Sequence, residues 1–122
     1  MRDEGLAARR VLADARPWTR LRRGGPDGLD ADVDGHLFAA GPEGVFVFAP
    51  DGALLGVIDT GVPTANVAWG EDGATLFIAA DTSIYRLRTL TRGAGWATDE
   101  IRLGARLQSG NLALSRIYGW RP

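Results

Sequence analysis

The chain has 122 residues, a formal net charge of -1, one histidine and no cysteine. This length suffices for one ordinary domain, and the near-neutral charge gives no electrostatic case for binding nucleic acid or an anionic membrane surface. The lack of cysteine excludes disulfides and thiolate metal sites, and the single histidine, His36, excludes a multi-histidine zinc site.

The N-terminal residues 1–23 are basic and irregular, with Trp18 among four arginines: Arg16, Arg20, Arg22 and Arg23. A charged stretch this short is typical of a solvated surface, so we interpret it as a linker or the end of a preceding repeat. It lacks the apolar core of a signal peptide. No apolar run in the chain approaches the roughly 18 residues that span a bilayer, and we expect a cytoplasmic protein.

From residue 27 onward, short runs of apolar residues alternate with polar ones between turns rich in Gly and Pro. Residues 29–33 have a period of two, which predicts a strand with Asp30 and Asp32 on its polar face. Asp34-Gly35 then predicts a hairpin turn. Further strands are predicted at 36–40, 44–48 and 54–61, which together make one four-stranded antiparallel sheet.

The layout of residues 27–50 repeats in residues 65–89. Asp34-Gly35 corresponds to Asp72-Gly73 at an offset of 38 residues, and the two later strands correspond at an offset of 39. A four-stranded repeat of about 40 residues is typical of a β-propeller blade. After residue 92 the pattern fades, although residues 101–107 still alternate as a strand does.

The aspartates of the first repeat suggest a calcium loop as an alternative, because Asp30, Asp32 and Asp34 stand at its first, third and fifth positions. The twelfth position is Gly41 instead of Glu, and the flanking residues have the period of strands. We therefore interpret these three aspartates as a strand face and a turn. Asp27 differs, since it follows Gly24-Gly25-Pro26 at the start of an inner strand, where a rigidly held carboxylate would point into a propeller's central channel.

Several segments occur together in a characteristic order: "PDGL", "DGHLFAAGPEGVFVF", "PDGALLG", "PTANVAWG", "DGATLFIAA" and "SIYRLRT". Over about residues 9 to 92 the chain resembles the C-terminal part of the SMP-30/gluconolactonase/LRE-like family. The resemblance implies an all-β fold, an incomplete segment of a six-bladed β-propeller with about two four-stranded antiparallel blades. We divide the chain into a basic lead-in at 1–23, the blades at 24–92 and an atypical tail at 93–122.

The resemblance implies hydrolysis of a sugar lactone, with a divalent metal in the channel. The family's "PDG" aspartate, a metal ligand with a proposed role in proton transfer, corresponds to Asp27, which is therefore the predicted catalytic and metal-binding residue. Oxygen ligands favour calcium, with magnesium, manganese or zinc as alternatives. The family's other ligands, one Glu and several Asn residues, are expected upstream of Met1, so we expect the isolated chain to hydrolyse lactones weakly or not at all.

Other residues have weaker predicted roles. Asn66 begins the inner strand of the second repeat, where its amide oxygen would face the same channel, and Thr64 is a weaker companion in a substrate pocket. We interpret His36 as an exposed strand residue without a partner, and Trp69 and Phe77 as packing between blades. Two alternatives to an enzyme stay open: an inactive fragment, and an interaction module whose open blade faces associate with other chains.

Overall fold

The computed structural model describes residues 8–96, which form two antiparallel sheets. A short helix, α1 (Arg16–Thr19), precedes them. The first sheet contains β1 (Leu29–Ala31), β2 (Leu37–Gly41), β3 (Gly44–Phe48) and β4 (Leu54–Asp59), and the second contains β5 (Thr64–Gly70), β6 (Thr75–Ala80) and β7 (Ser83–Arg88). Strand order follows chain order in both. The all-β prediction of a partial propeller is confirmed. The strand predicted at 101–107 lies outside the described residues.

The two Asp-Gly turns have the same backbone geometry. Gly35 and Gly73 have positive φ angles of 84° and 85°, which glycine adopts without steric cost. The N–H group of Gly35 donates to the carbonyl of Asp32 at 3.1 Å, and that of Gly73 donates to Gly70 at 3.0 Å. The predicted hairpin turns, and their spacing of 38 residues, are therefore confirmed.

The core lies between the two sheets and takes one face of each. Successive strand residues point to opposite faces, so Leu76 and Ile78 are buried in the core. Trp69 is also buried and packs edge-on against Phe38, with ring centroids 5.1 Å apart. The predicted packing between blades is confirmed for Trp69. Phe77 lies half-buried beside Gly70 on the opposite face of the second sheet, and its packing against another blade stays a prediction.

The described part of the N-terminal segment covers the outer face of the first sheet. The Trp18 ring lies 5.0 Å from the Phe46 ring and 5.9 Å from the Phe48 ring, and the Leu12 carbonyl packs against Gly52. Arg23 is paired with Glu43 at 3.1 Å. As predicted for a solvated charge run, Arg16, Arg20 and Arg23 are exposed, whereas Trp18 packs on the aromatic residues of β3. The interpretation of the segment as a linker or the end of a preceding repeat stays a prediction.

No helix within residues 8–96 has the length and apolar character needed to cross a membrane.

Candidate functional site

Backbone hydrogen bonds join the two sheets next to Asp27. The N–H group of Asp27 donates to Ala40 of β2 at 2.9 Å, and that of Gly28 donates across the sheets to Ala65 of β5 at 2.9 Å. Asp27 precedes Gly28 in the chain and Asn66 follows Ala65, so the two residues flank this hydrogen-bonded pair. The structure thus brings together two residues that the sequence placed at the starts of separate repeats.

The Asp27 side chain is exposed. Within residues 8–96 its carboxylate has neither a hydrogen bond nor an ion pair, although the backbone beneath it is fixed by the bond to Ala40. The residue before Asp27 is Pro26, whose ring fixes its own φ angle. Asp27 therefore offers an available carboxylate on an anchored backbone, which is suited to accepting a proton or contributing one ligand to a cation.

The described residues do not make a complete metal site around Asp27. A hard divalent cation takes six or more oxygen ligands, some of which can be water. In residues 8–96, the one group of three acidic or histidine side chains close enough to share a cation consists of Asp32, Asp34 and His36, without Asp27. The described part of the chain thus supplies a single carboxylate at the predicted position.

Asp32 is 3% exposed, so the prediction that it lies on a polar strand face is wrong. Strand β1 ends at Ala31, and Asp32 belongs to the turn that follows. Its Oδ1 accepts the N–H groups of Asp34 and His36 at 2.9 Å and 2.8 Å. Its Oδ2 accepts the Thr91 hydroxyl at 2.8 Å. The buried carboxylate is thereby satisfied, as buried polar groups require.

His36 is half-buried, and its Nδ1 lies 3.0 Å from Oδ2 of Asp32. The prediction of an exposed histidine without a partner is wrong, because the turn folds residue 36 back over residue 32. The ligand atoms of Asp32, Asp34 and His36 lie within 4.8 Å of one another. Sequence reasoning missed that His36 joins this group; the Asp-x-Asp-x-His spacing across a tight turn was the available signal. Since both Asp32 oxygens already accept hydrogen bonds, the group serves to close the turn.

Thr64 and Asn66 differ in accessibility. Thr64 is 3% exposed, and its hydroxyl lies 2.7 Å from the hydroxyl of Thr60 and 3.1 Å from the carbonyl of Val62. This geometry gives no support to a substrate contact at Thr64. Asn66 is exposed, and its Oδ1 accepts the N–H group of Val67 at 2.9 Å.

The strongest charge interactions of the second sheet surround the β5–β6 turn, away from Asp27. Asp72 is paired with Arg88 at 2.5 Å. Burial raises the pKa of Asp72, but the N–H group of Ala74 and the Arg88 guanidinium outweigh it and hold the pKa below its ordinary 3.8. The Arg86 guanidinium likewise lowers the pKa of Glu71. These carboxylates are engaged in pairing, which distinguishes them from Asp27.

Comparisons with known proteins agree with the fold. A gluconolactonase of Zymomonas mobilis subsp. mobilis is 49% identical over 70 residues, which cover 56% of this chain and 20% of the relative. An X-ray structure described as a gluconolactonase superposes with a TM-score of 0.61 at 32% identity, covering 70% of this chain and 28% of that chain. The chain thus spans about a fifth of the curated relative that it matches.

The model of the SMP-30/gluconolactonase/LRE-like region matches residues 1–82, which is two thirds of the chain. The match includes the N-terminal segment, both sides of the Gly28–Ala65 bond and the greater part of the second sheet. The chain belongs to the SMP-30/gluconolactonase/LRE-like family.

Proposed function

We propose that this chain forms part of a sugar-lactone hydrolase site, to which it contributes Asp27. The observation that carries the proposal is the exposed, unpaired Asp27 carboxylate on an anchored backbone where the two sheets meet. The gluconolactonase relative and structural neighbour support a lactone as the substrate class. Because the chain spans only part of each, the complete site needs groups beyond the described residues.

Hydrolysis of a lactone adds water across the ring ester. The water oxygen bonds to the carbonyl carbon, the bond from that carbon to the ring oxygen breaks, and a hydroxy acid results. In the proposal, Asp27 accepts a proton from the attacking water and returns it to the departing ring oxygen, which is general base and then general acid catalysis. A carboxylate without a competing ion pair is suited to both steps.

A divalent cation belongs to the proposal as a partner of Asp27. Calcium is the first choice for oxygen ligands, with magnesium, manganese and zinc as alternatives. The described residues offer it one carboxylate, that of Asp27, so further ligands must come from elsewhere.

The second proposal is an inactive chain, or an interaction module that associates through its open faces. It is favoured by large apolar side chains that stay exposed: Ile84 at 77%, Leu90 at 63% and Leu29 at 60%. Light scattering tests the interaction module: a defined oligomer supports association through the open faces, whereas a monomer with a cooperative melt contradicts it.

The enzymatic proposal is tested by the hydrolysis of glucono-1,5-lactone in a pH-stat, with the spontaneous rate subtracted. Wild type should show slow turnover that Asp27→Asn abolishes. Asp34→Asn is the matched control, because Asp34 is an exposed aspartate of the neighbouring turn and its loss should leave the rate unchanged. Equal rates in wild type and Asp27→Asn would refute the role of Asp27. If wild type neither turns over the lactone nor binds a stable lactam analogue, the inactive alternative is correct.

A further inference from the structure

We propose that Asn66 is a substrate-binding residue that donates a hydrogen bond to an oxygen of the lactone, and that Gly28 is the positioning residue that permits it. This inference rests on the proposed function, since it names a further residue of the same site. Asn66 is exposed, as Asp27 is, and the bond from Gly28 to Ala65 holds their backbones side by side.

The hydrogen bond to Val67 decides which end of the carboxamide is available. An asparagine side chain has an accepting oxygen and a donating NH2 group. Because Oδ1 accepts the N–H group of Val67 at 2.9 Å, the oxygen is turned toward the backbone and the NH2 group is left for a ligand. The expectation that the amide oxygen faces the site is therefore replaced by one in which Asn66 presents a donor.

A donor suits a lactone and does not suit a cation. Calcium and magnesium bind oxygen atoms, whereas the carbonyl, ring and hydroxyl oxygens of a sugar lactone accept hydrogen bonds. A donor fixed near the carbonyl oxygen also stabilises the negative charge that develops there during attack by water. In this arrangement Asp27 accepts a proton from the attacking water, and Asn66 donates a hydrogen bond to the lactone.

Gly28 allows the carboxamide to lie where it does. A Cβ atom at residue 28 would overlap Oδ1 of Asn66 and lie 2.5 Å from its Cγ. It would also lie 3.1 Å from the Ala65 carbonyl, a tight contact that the backbone can relieve by a small shift. Any side chain at this position therefore displaces the carboxamide. Because that group is the free end of an exposed side chain, its displacement should cost little folding energy.

The chain suits a direct measurement, because its sequence holds three side-chain amides, those of Asn66, Gln108 and Asn111. Their NH2 signals can be resolved and assigned in a nitrogen-15 spectrum by single substitutions. The probe is glucono-1,5-lactam, which keeps the ring and its oxygens but resists hydrolysis. Titration of wild type should shift the Asn66 NH2 pair saturably and leave the pairs of Gln108 and Asn111 in place.

Asn66→Asp separates a donor from a metal ligand. Aspartate keeps an oxygen for Val67 and removes the NH2 group, so lactam affinity should fall roughly five- to tenfold, the effect of one lost hydrogen bond, while calcium affinity should not fall. Gly28→Ala should weaken lactam binding to a similar extent, and adding it to Asn66→Asp should cause no further loss. Gly25→Ala is the matched control, because a Cβ there meets nothing within 4 Å, and its lactam affinity should equal that of wild type.

Two results overturn the inference while the proposed function stands: Asn66→Asp binding the lactam as tightly as wild type, or Gly28→Ala weakening binding further in the Asn66→Asp background. A rise in calcium affinity in Asn66→Asp with unchanged lactam affinity would identify Asn66 as a metal ligand instead. Absence of lactam binding and turnover in wild type would overturn the proposed function, and this inference with it.

Discussion

The β1–β2 turn and the β5–β6 turn have the same backbone and are stabilised by different chemistry. In the first, Asp32 is buried and accepts hydrogen bonds from the turn and from Thr91, 59 residues later. Its counterpart in the second is Gly70, and there the aspartate of the Asp-Gly pair, Asp72, forms an ion pair with Arg88. The repeat therefore preserves backbone geometry, whereas the polar side chains near each turn have separate roles that must be established individually.

The largest expected loss of stability comes from a residue on the core-facing side of the second sheet, and the test compares it with a residue on the opposite side. Trp69→Ala removes a buried ring that packs against Phe38 and donates from Nε1 to the Ala31 carbonyl at 3.0 Å. The free energy of unfolding should fall by about 3–5 kcal/mol, measured by urea denaturation. Phe77→Ala, on the opposite face, is the comparison and should cost clearly less. Equal losses of unfolding free energy in the two variants would contradict the placement of the core on one face of the second sheet.

The second prediction concerns the first turn. Asp32→Ala leaves the partly buried hydrogen-bond donors of His36 and Thr91 without their acceptor, and it should cost about 1–3 kcal/mol, the range for stranded buried donors. Asp34→Ala, which alters an exposed side chain, should stay within about 0.5 kcal/mol of wild type. Urea denaturation of both variants provides the measurement. A mild Asp32→Ala variant would indicate that the carboxylate is not a structural group.

The smallest effect is expected at the second turn. Asp72→Asn weakens a half-buried ion pair and should cost about 1 kcal/mol. Because the pKa of Asp72 is lower in the folded state than its ordinary 3.8, its contribution is present above about pH 4 and is lost as the pH falls through the folded value. Wild type and Asp72→Asn should therefore converge in stability in acid. A difference that grows toward acid would contradict the lowered pKa.

The sequence predicted the features that depend on short-range periodicity. The alternating runs and the Asp-Gly turns sufficed for both sheets, because strand period and turn geometry are local properties. The same alternation misplaced Asp32, since β1 ends one residue before it and the burial of its carboxylate depends on Thr91, far along the chain. Likewise, the orientation of the Asn66 amide depends on a single hydrogen bond to Val67, which residue types alone do not specify.

The site was predicted less completely than the fold. The resemblance indicated Asp27, and the sequence indicated Asn66, but their proximity follows from the bond between Gly28 and Ala65. Thr64 is buried, with its hydroxyl beside that of Thr60, which the alternation of residue types does not show. Sequence pattern thus found the strands that carry the candidate residues but could not show which side chains remain available.

The central claim is that Asp27 is the functional aspartate, whereas Asp32, with Asp34 and His36 beside it, closes a turn. Calorimetric titration with calcium and manganese tests it most directly, on wild type, Asp27→Ala and Asp34→Asn. A single carboxylate without a preformed shell should bind weakly, and we predict that this binding is lost in Asp27→Ala and kept in Asp34→Asn. Tight one-to-one binding that survives Asp27→Ala and disappears in Asp34→Asn would contradict the claim and identify the turn as the metal site.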